Sequence, residues 1–257
     1  MFNQSRKVVA LGLMTAVVGS GVAIAGGTTG VELNEPTVEG KVTPSKLDNR
    51  KFKPVNLLLG VINSPDSTGN PNGNAAAENI QVSKNVKVNL SNTALCPVEL
   101  ANGTTTEFAR DTCPGGSFIG SGIAEVHAPG SAPACGANPA NPPCVIAEPV
   151  VSVFHGPTLN KLQLHTYSAS TGAASPVVDS FIVDATAPGY RQALNVPVAP
   201  NTGSLKITGF NATVERSTKV AKAKCKPRTF KFLRTVTYKD TTSEQAPVLE
   251  QKCRVQR

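Results

Sequence analysis

The chain has 257 residues, with 25 lysines and arginines against 17 aspartates and glutamates, a formal charge of +8 at pH 7. That excess favours anionic neighbours without naming one. With no tryptophan and three tyrosines, flat stacking platforms for sugars or unpaired bases are scarce, which argues against nucleic acid as a partner.

Residues 1–25, MFNQSRKVVALGLMTAVVGSGVAIA, place Arg6 and Lys7 before an apolar run and close on Ala23-Ile24-Ala25, the order of a secretory signal peptide. The rival is a retained membrane anchor, but Gly19, Ser20 and Gly21 interrupt the run. Cleavage removes two basic residues and no acidic one, so the exported chain stays basic. No later stretch reaches the roughly 18 apolar residues that span a bilayer, so no membrane span is expected after cleavage. Residues 26–45 are polar, small and without period and read as a flexible leader, which leaves residues 46–257 as a single domain.

From Lys46 onward a period of two keeps returning, in Val55–Ile62, Ile80–Val82 and Val86–Leu90, each run bounded by Gly, Pro, Asn or Ser. Further strands are predicted at 118–127, 150–155, 161–168, 178–184, 191–197, 204–214, 219–224, 229–239 and 246–253. Short strands broken by turn residues predict an all-β domain, an antiparallel sandwich of roughly ten strands. One short helix interrupts them. Thr104 and Glu107 have capping-box spacing, which predicts a helix running from there to about Cys113.

On an exported chain, Cys96, Cys113, Cys135, Cys144, Cys225 and Cys253 read as disulfides. Six cysteines allow fifteen pairings. Nearness in sequence and the intervening elements suggest Cys96–Cys113, Cys135–Cys144 and Cys225–Cys253, the second tying the neck of a Pro- and Gly-rich loop at 129–144. A metal site is the rival, but there is no C-x-x-C and no histidine within six residues of any cysteine, so neither a metal nor another cofactor is expected.

Catalytic signatures are missing. Ser117 and Ser121 in GGSFIGSG lack glycine at both minus two and plus two, so there is no nucleophile elbow, and Gly120 and Gly122 mark a bulge or a close strand crossing instead. His127, His155 and His165 have no motif around them. His165 shares a strand face with Lys161, Gln163 and Tyr167, opposite Leu162 and Leu164, and so reads as exposed, while His155 precedes Gly156-Pro157 and reads as a turn residue. Asp66, Asn70, Asn72 and Asn74 offer too few carboxylates for a calcium loop before Glu78. Asn89, Asn102 and Asn211 open glycosylation sequons, which matter only in a eukaryotic secretory route.

The most charged passage follows. In AKCKPRTFKFLRTVTYKD, from Ala223, and in the residues just before it, Lys222, Lys224 and Lys226 fall on one strand face, with Ala221, Ala223 and Cys225 on the other. Beyond Pro227, Phe230, Phe232, Val236 and Tyr238 share a core face, and Leu233 and Arg234 break the alternation, as a bulge or a strand end covered on both sides would. Alternation alone explains the lysines as the wet side of a strand. Set about 7 Å apart along one strand, they also suit an anionic polymer.

The order Lys46-Leu47, Lys51-Phe52-x-Pro54, Gly120-Ser121-Gly122-x-Ala124, Ile207-Thr208-x-Phe210, Ala223-Lys224-Cys225, Phe230-x-Phe232 and Thr237-Tyr238 resembles a group of secreted actinobacterial proteins with no assigned activity. The resemblance spans most of residues 46–253. It implies a β-rich domain pinned by Cys96–Cys113 and Cys225–Cys253, and carries over no catalytic residue. The 129–144 loop departs from that pattern, so its bridge rests on spacing.

The functional expectation is a secreted or cell-envelope-associated non-enzymatic β-sandwich protein. Lys222, Lys224 and Lys226 would contact an anionic envelope polymer, or another envelope protein would be the partner. The alternative is a secreted hydrolase with an unorthodox site near His155 and His165.

Overall fold

Alternating apolar and polar residues make most of the described residues strand. The computed structural model describes residues 37–62, 75–127, 145–174, 176–198, 206–239 and 241–256. In chain order these form β1 (Thr37–Thr43), β2 (Lys46–Leu47), β3 (Lys53–Pro54), β4 (Asn56–Ile62), β5 (Ala75–Ser83) and β6 (Val86–Val88), then helix α1 (Thr106–Thr112). After it come β7 (Phe118–His127), β8 (Val145–Ala147), β9 (Val150–His155), β10 (Lys161–Ser168), β11 (Ala173–Ala174), β12 (Val178–Asp184) and β13 (Tyr190–Pro197). The last are β14 (Lys206–Val214), β15 (Ala221–Ala223), β16 (Thr229–Tyr238), β17 (Ser243–Gln245), β18 (Leu249–Lys252) and β19 (Arg254–Val255). The signal segment, the Asp66–Asn74 loop and the Cys135–Cys144 pair lie outside the described residues.

One antiparallel sheet runs β1-β4-β14-β7-β9-β10-β12-β13-β5-β16-β17, with β8, β11 and β18 attached to β7, β10 and β16. A small antiparallel sheet has the order β3-β15-β6, and β2 pairs with β19 in parallel. The all-β, antiparallel expectation holds, and among the described residues most strands join one continuous sheet that curls. Its inward residues form two clusters, one on Leu57, Leu59 and Val61 of β4, Ile80 and Val82 of β5, and Phe230 and Phe232 of β16. The other rests on Val151 and Val153 of β9 and Leu162 and Leu164 of β10, and Leu194, Phe210 and Val214 pack against both. Each such side chain, fully buried, contributes about 1.5–3 kcal/mol before entropy is counted. A cavity of about 40 Å³ remains between the clusters, lined by Leu57, Ile80, Leu162, Ile182, Leu194 and Val214.

β1 corrects the leader expectation, because Thr37–Thr43 pairs along its whole length with β4. Its outer edge meets β16 and β18 through side chains. The Val42 N–H donates to Gln251 Oε1 (2.7 Å) and Gln251 Nε2 donates back to the Val42 carbonyl (3.0 Å). At Gly40 the Phe232 ring occupies the space a Cβ would need, so only glycine fits there.

Gly120 and Gly122 behave as the sequence suggests. Register shifts between Phe118 and Gly120, and a Cβ at either glycine would run into the backbone carbonyl of Thr213 or Asn211 on β14. Arg234 lies in no bulge; the register of β16 against β5 is regular there and shifts only between Thr237 and Tyr238. Arg234 points inward and is fully buried, while Leu233 is buried on the other face, so the strand is covered on both sides.

Residues 89–117 fold over the outer face of β9 and β10. The Cys96–Cys113 bridge holds this cover, and Cys96, Leu100, Ala109 and Cys113 pack on Phe154. The helix cap is one residue later than predicted: Thr105 Oγ1 accepts from the Phe108 N–H (3.2 Å), and Thr104 is freed for other contacts. The second described bridge, Cys225–Cys253, joins the end of β15 to the β18–β19 junction. Both bridges match the predicted pairing and fit an oxidising, extracytoplasmic environment. No helix among the described residues is long and apolar enough to cross a membrane.

Candidate functional site

A hydrolase site near His155 and His165 would need an open histidine beside a nucleophile or a carboxylate. His165 is not exposed, as its strand face suggested, but 1 % accessible, because the 89–117 cover lies on that face. Its Nε2 donates to the Thr104 carbonyl (3.0 Å) and lies 3.1 Å from Thr104 Oγ1. Burial pushes its pKa below the ordinary histidine value, against the opposing effect of that carbonyl. Its Nδ1 has no hydrogen-bond partner, and neither has Ser152 Oγ on the register-paired residue of β9. His155 is likewise buried, with Nδ1 2.7 Å from Thr93 Oγ1 and Nε2 3.3 Å from the Leu159 carbonyl. Among the described residues each ring thus hydrogen-bonds a threonine and no serine or carboxylate, and both rings are buried. His127 ends β7.

Beside these rings, Lys161 is also buried and joins Glu99 (2.6 Å) and Asp179 (2.7 Å). Burial works against its charge, but the hydrogen bonds that Lys161 donates to Asp179 and to Glu99 outweigh it and hold Lys161 above the ordinary lysine value. Gln163 completes the seam, accepting from the Leu100 N–H (2.6 Å) and donating to the Val98 carbonyl (3.0 Å). This set fastens the cover to β10. Among the described residues no group of three or more His, Cys, Asp and Glu is arranged to hold a metal ion.

The predicted lysines lie elsewhere, on the β3-β15-β6 sheet. Ala221, Ala223 and Cys225 are buried, whereas Lys222 and Lys224 are half-buried on the opposite face. The strand ends at Ala223, the Lys224 N–H still donates to the Asn85 carbonyl (3.0 Å), and Lys226 stands free of the strand and exposed. The predicted strip of three therefore shortens to two. Two other strands extend it sideways. Lys87 of β6 is the register partner of Lys222, and Phe52, just before β3, lies under Lys224 with Nζ 4.9 Å from the ring centre. Arg191 of β13 reaches the same ring (5.8 Å) while its Nε donates to the Lys84 carbonyl (3.3 Å).

Among the described residues none of Lys87, Arg191, Lys222 and Lys224 forms an ion pair. Asp48, whose carbonyl accepts from the Cys225 N–H, spends its carboxylate on the Arg50 and Lys51 amides, which hold it below the usual carboxylate range. Sequence reading missed Phe52, Lys87 and Arg191 because only the fold brings positions so far apart in the chain together. The sole trace of them in the sequence is that each lies beside or within a short run of basic residues or strand. No protein-family model matches the chain, and a comparison with curated proteins found no match.

Proposed function

We propose that the protein is exported, is secreted or held at the cell envelope, and acts without catalysis, binding an anionic envelope polymer through the lysine-bearing face of the β3-β15-β6 sheet. One observation carries this reading. Lys222 and Lys87 stand directly opposite each other on antiparallel strands with no acid paired to either among the described residues. Side chains so placed are about 5 Å apart at Cβ, and like charges there destabilise the sheet. A bound anion converts that cost into affinity, as locally unfavourable features at functional sites commonly do.

The hydrolase reading has no comparable support, since His155 and His165 are closed off and engaged by threonines. The test is charge reversal. The variant Lys222→Glu, Lys224→Glu, Lys226→Glu, checked for folding by thermal melt, is cosedimented with isolated cell walls at low salt and at about 0.15 M, where the Debye length is about 8 Å. Wild-type protein is expected to pellet with walls at low salt and much less at the higher; the variant is expected to stay in solution at both. Equal pelleting of variant and wild type overturns the proposal.

A further inference from the structure

A polymer laid along β15 would run from Lys222 through Lys224 to Lys226, but the strand ends at Ala223 and Lys226 stands apart from it. The cations that do cluster come from different strands. Lys222 faces Lys87 across the β15–β6 ladder, and Lys224 and Arg191 converge on one ring, Phe52. Two residues further along the strand, Lys224 lies about 7 Å from Lys222. Four cations thus share one small facet, and it joins the three-stranded sheet to β13 of the main sheet.

Resting on the polyanion reading above, we infer that the recognition centre is this facet, Lys87, Arg191, Lys222 and Lys224 around Phe52, that its ligand is a linear phosphate-bearing polymer, and that the polymer crosses the strands. Lys226 is no part of it. Phe52 has a definite task. A ring face attracts cations, so it holds the Lys224 ammonium and the Arg191 guanidinium in place before any ligand arrives and lowers the ordering cost of binding. Arg191 is exposed and is fixed a second time by the Lys84 carbonyl through Nε, a bond that does not use the donors of its two terminal nitrogens.

The choice of phosphate follows from the donors. Three ammonium groups act as point charges that approach from any direction, and one guanidinium supplies a planar fork. An in-chain phosphate carries its charge on two free oxygens set tetrahedrally, out of any one plane, so ammonium groups from different strands can meet it from different sides. A carboxylate presents its two oxygens in one plane, the geometry that a guanidinium fork matches and that point-charge ammonium groups do not select.

The full exported chain, with its disulfides formed, is titrated with long-chain inorganic polyphosphate, with poly-L-glutamate, and with orthophosphate as a single-ion control, over a series of salt concentrations. Polyphosphate is expected to bind more tightly than polyglutamate, and orthophosphate hardly at all. Lys87→Gln, Arg191→Gln and Lys222→Gln should each flatten the slope of log affinity against log salt by roughly 0.7, one contact's worth on a flexible polyanion. Lys226→Gln should leave slope and affinity unchanged. Phe52→Leu keeps an apolar side chain and every charge, so it should weaken polyphosphate binding while leaving the slope nearly as it was. Should Phe52→Leu fail to fold, the Arg191 and Lys226 variants still decide the matter. If Lys226→Gln weakens binding as much as Arg191→Gln does, the facet is wrong and the strip along β15 is the site. Tighter binding of polyglutamate overturns the phosphate assignment alone. If wild-type protein binds neither polymer but still pellets with walls, the polyanion chemistry falls while envelope binding stands.

Discussion

His165 shows how a single residue can be read correctly in direction and wrongly in environment. Its place opposite Leu162 and Leu164 was legible from period two, but period two tells which way a side chain points, not what lies on top of it. What lies on it is Thr104, 61 residues upstream, carried there by the bridged cover. The consequence is a pH dependence. Burial lowers the folded-state pKa of His165, so as pH falls below about 6.5 the unfolded chain takes up a proton that the folded chain refuses. Stability from this group is complete above that pH and is lost as pH falls from about 6.5 toward the folded value, below which the loss levels off. Thermal melts between pH 8 and 5 should show the wild-type midpoint dropping more than that of His165→Gln. Parallel curves for the two proteins would mean that the ring is hydrated and the cover loose.

At the scale of elements, side-chain carboxamides recur where strand edges lack a backbone partner. Gln251 bonds both polar groups of Val42, Gln192 bonds both of Val88 (2.8 and 2.9 Å), and Gln163 bridges Leu100 and Val98. A carboxamide carries one acceptor and one donor side by side, as a peptide group does, so it can stand in for a missing strand. Such clamps explain which elements the sequence disclosed. Strands 118–127, 150–155, 161–168 and 178–184 have backbone neighbours on both sides, and the structure has them at those bounds. β1 has Gly40 at its centre and draws its outer contacts from Phe232, Arg234 and Gln251, the last 209 residues from Val42, so nothing local marked TVEGKVT as a strand. Exchange of Gln251 for Glu replaces the donor by a second acceptor aimed at the Val42 carbonyl. The expected loss is about 1–3 kcal/mol, with faster hydrogen exchange at the Val42 amide, measured by NMR. An unchanged Val42 exchange rate would show that the edge holds without the clamp.

Across the whole curled sheet, one buried arginine, paired with a carboxylate on the neighbouring strand, reaches strands from the other end of the sheet order. Arg234 of β16 donates from Nε and Nη2 to the two oxygens of Glu78 on β5 (2.8 and 2.6 Å). Its Nη1 reaches across to the carbonyls of Thr37 on β1 (3.0 Å) and Ile62 on β4 (3.1 Å). A guanidinium is the one side chain with enough fixed donors to serve both ends at once. The sequence flagged Arg234 as a break in alternation but could not supply the reason, since its carboxylate lies 156 residues upstream on another strand. Buried pairs of this kind are poor evidence for stability in themselves, because the cost of taking two charges out of water offsets their attraction, whereas leaving one charge without its partner is severe. Glu78→Leu should therefore cost about 3–5 kcal/mol, and Glu78→Leu with Arg234→Met should recover most of it. Recovery should stop short of complete, because the double variant leaves the Thr37 and Ile62 carbonyls without the donor that joins β1 and β4 to β16. Chemical denaturation of the wild type, both single variants and the double variant closes the cycle. If the losses of the two single variants simply add in the double, Arg234 and Glu78 act independently, and the curl of the sheet is set by its apolar lining alone.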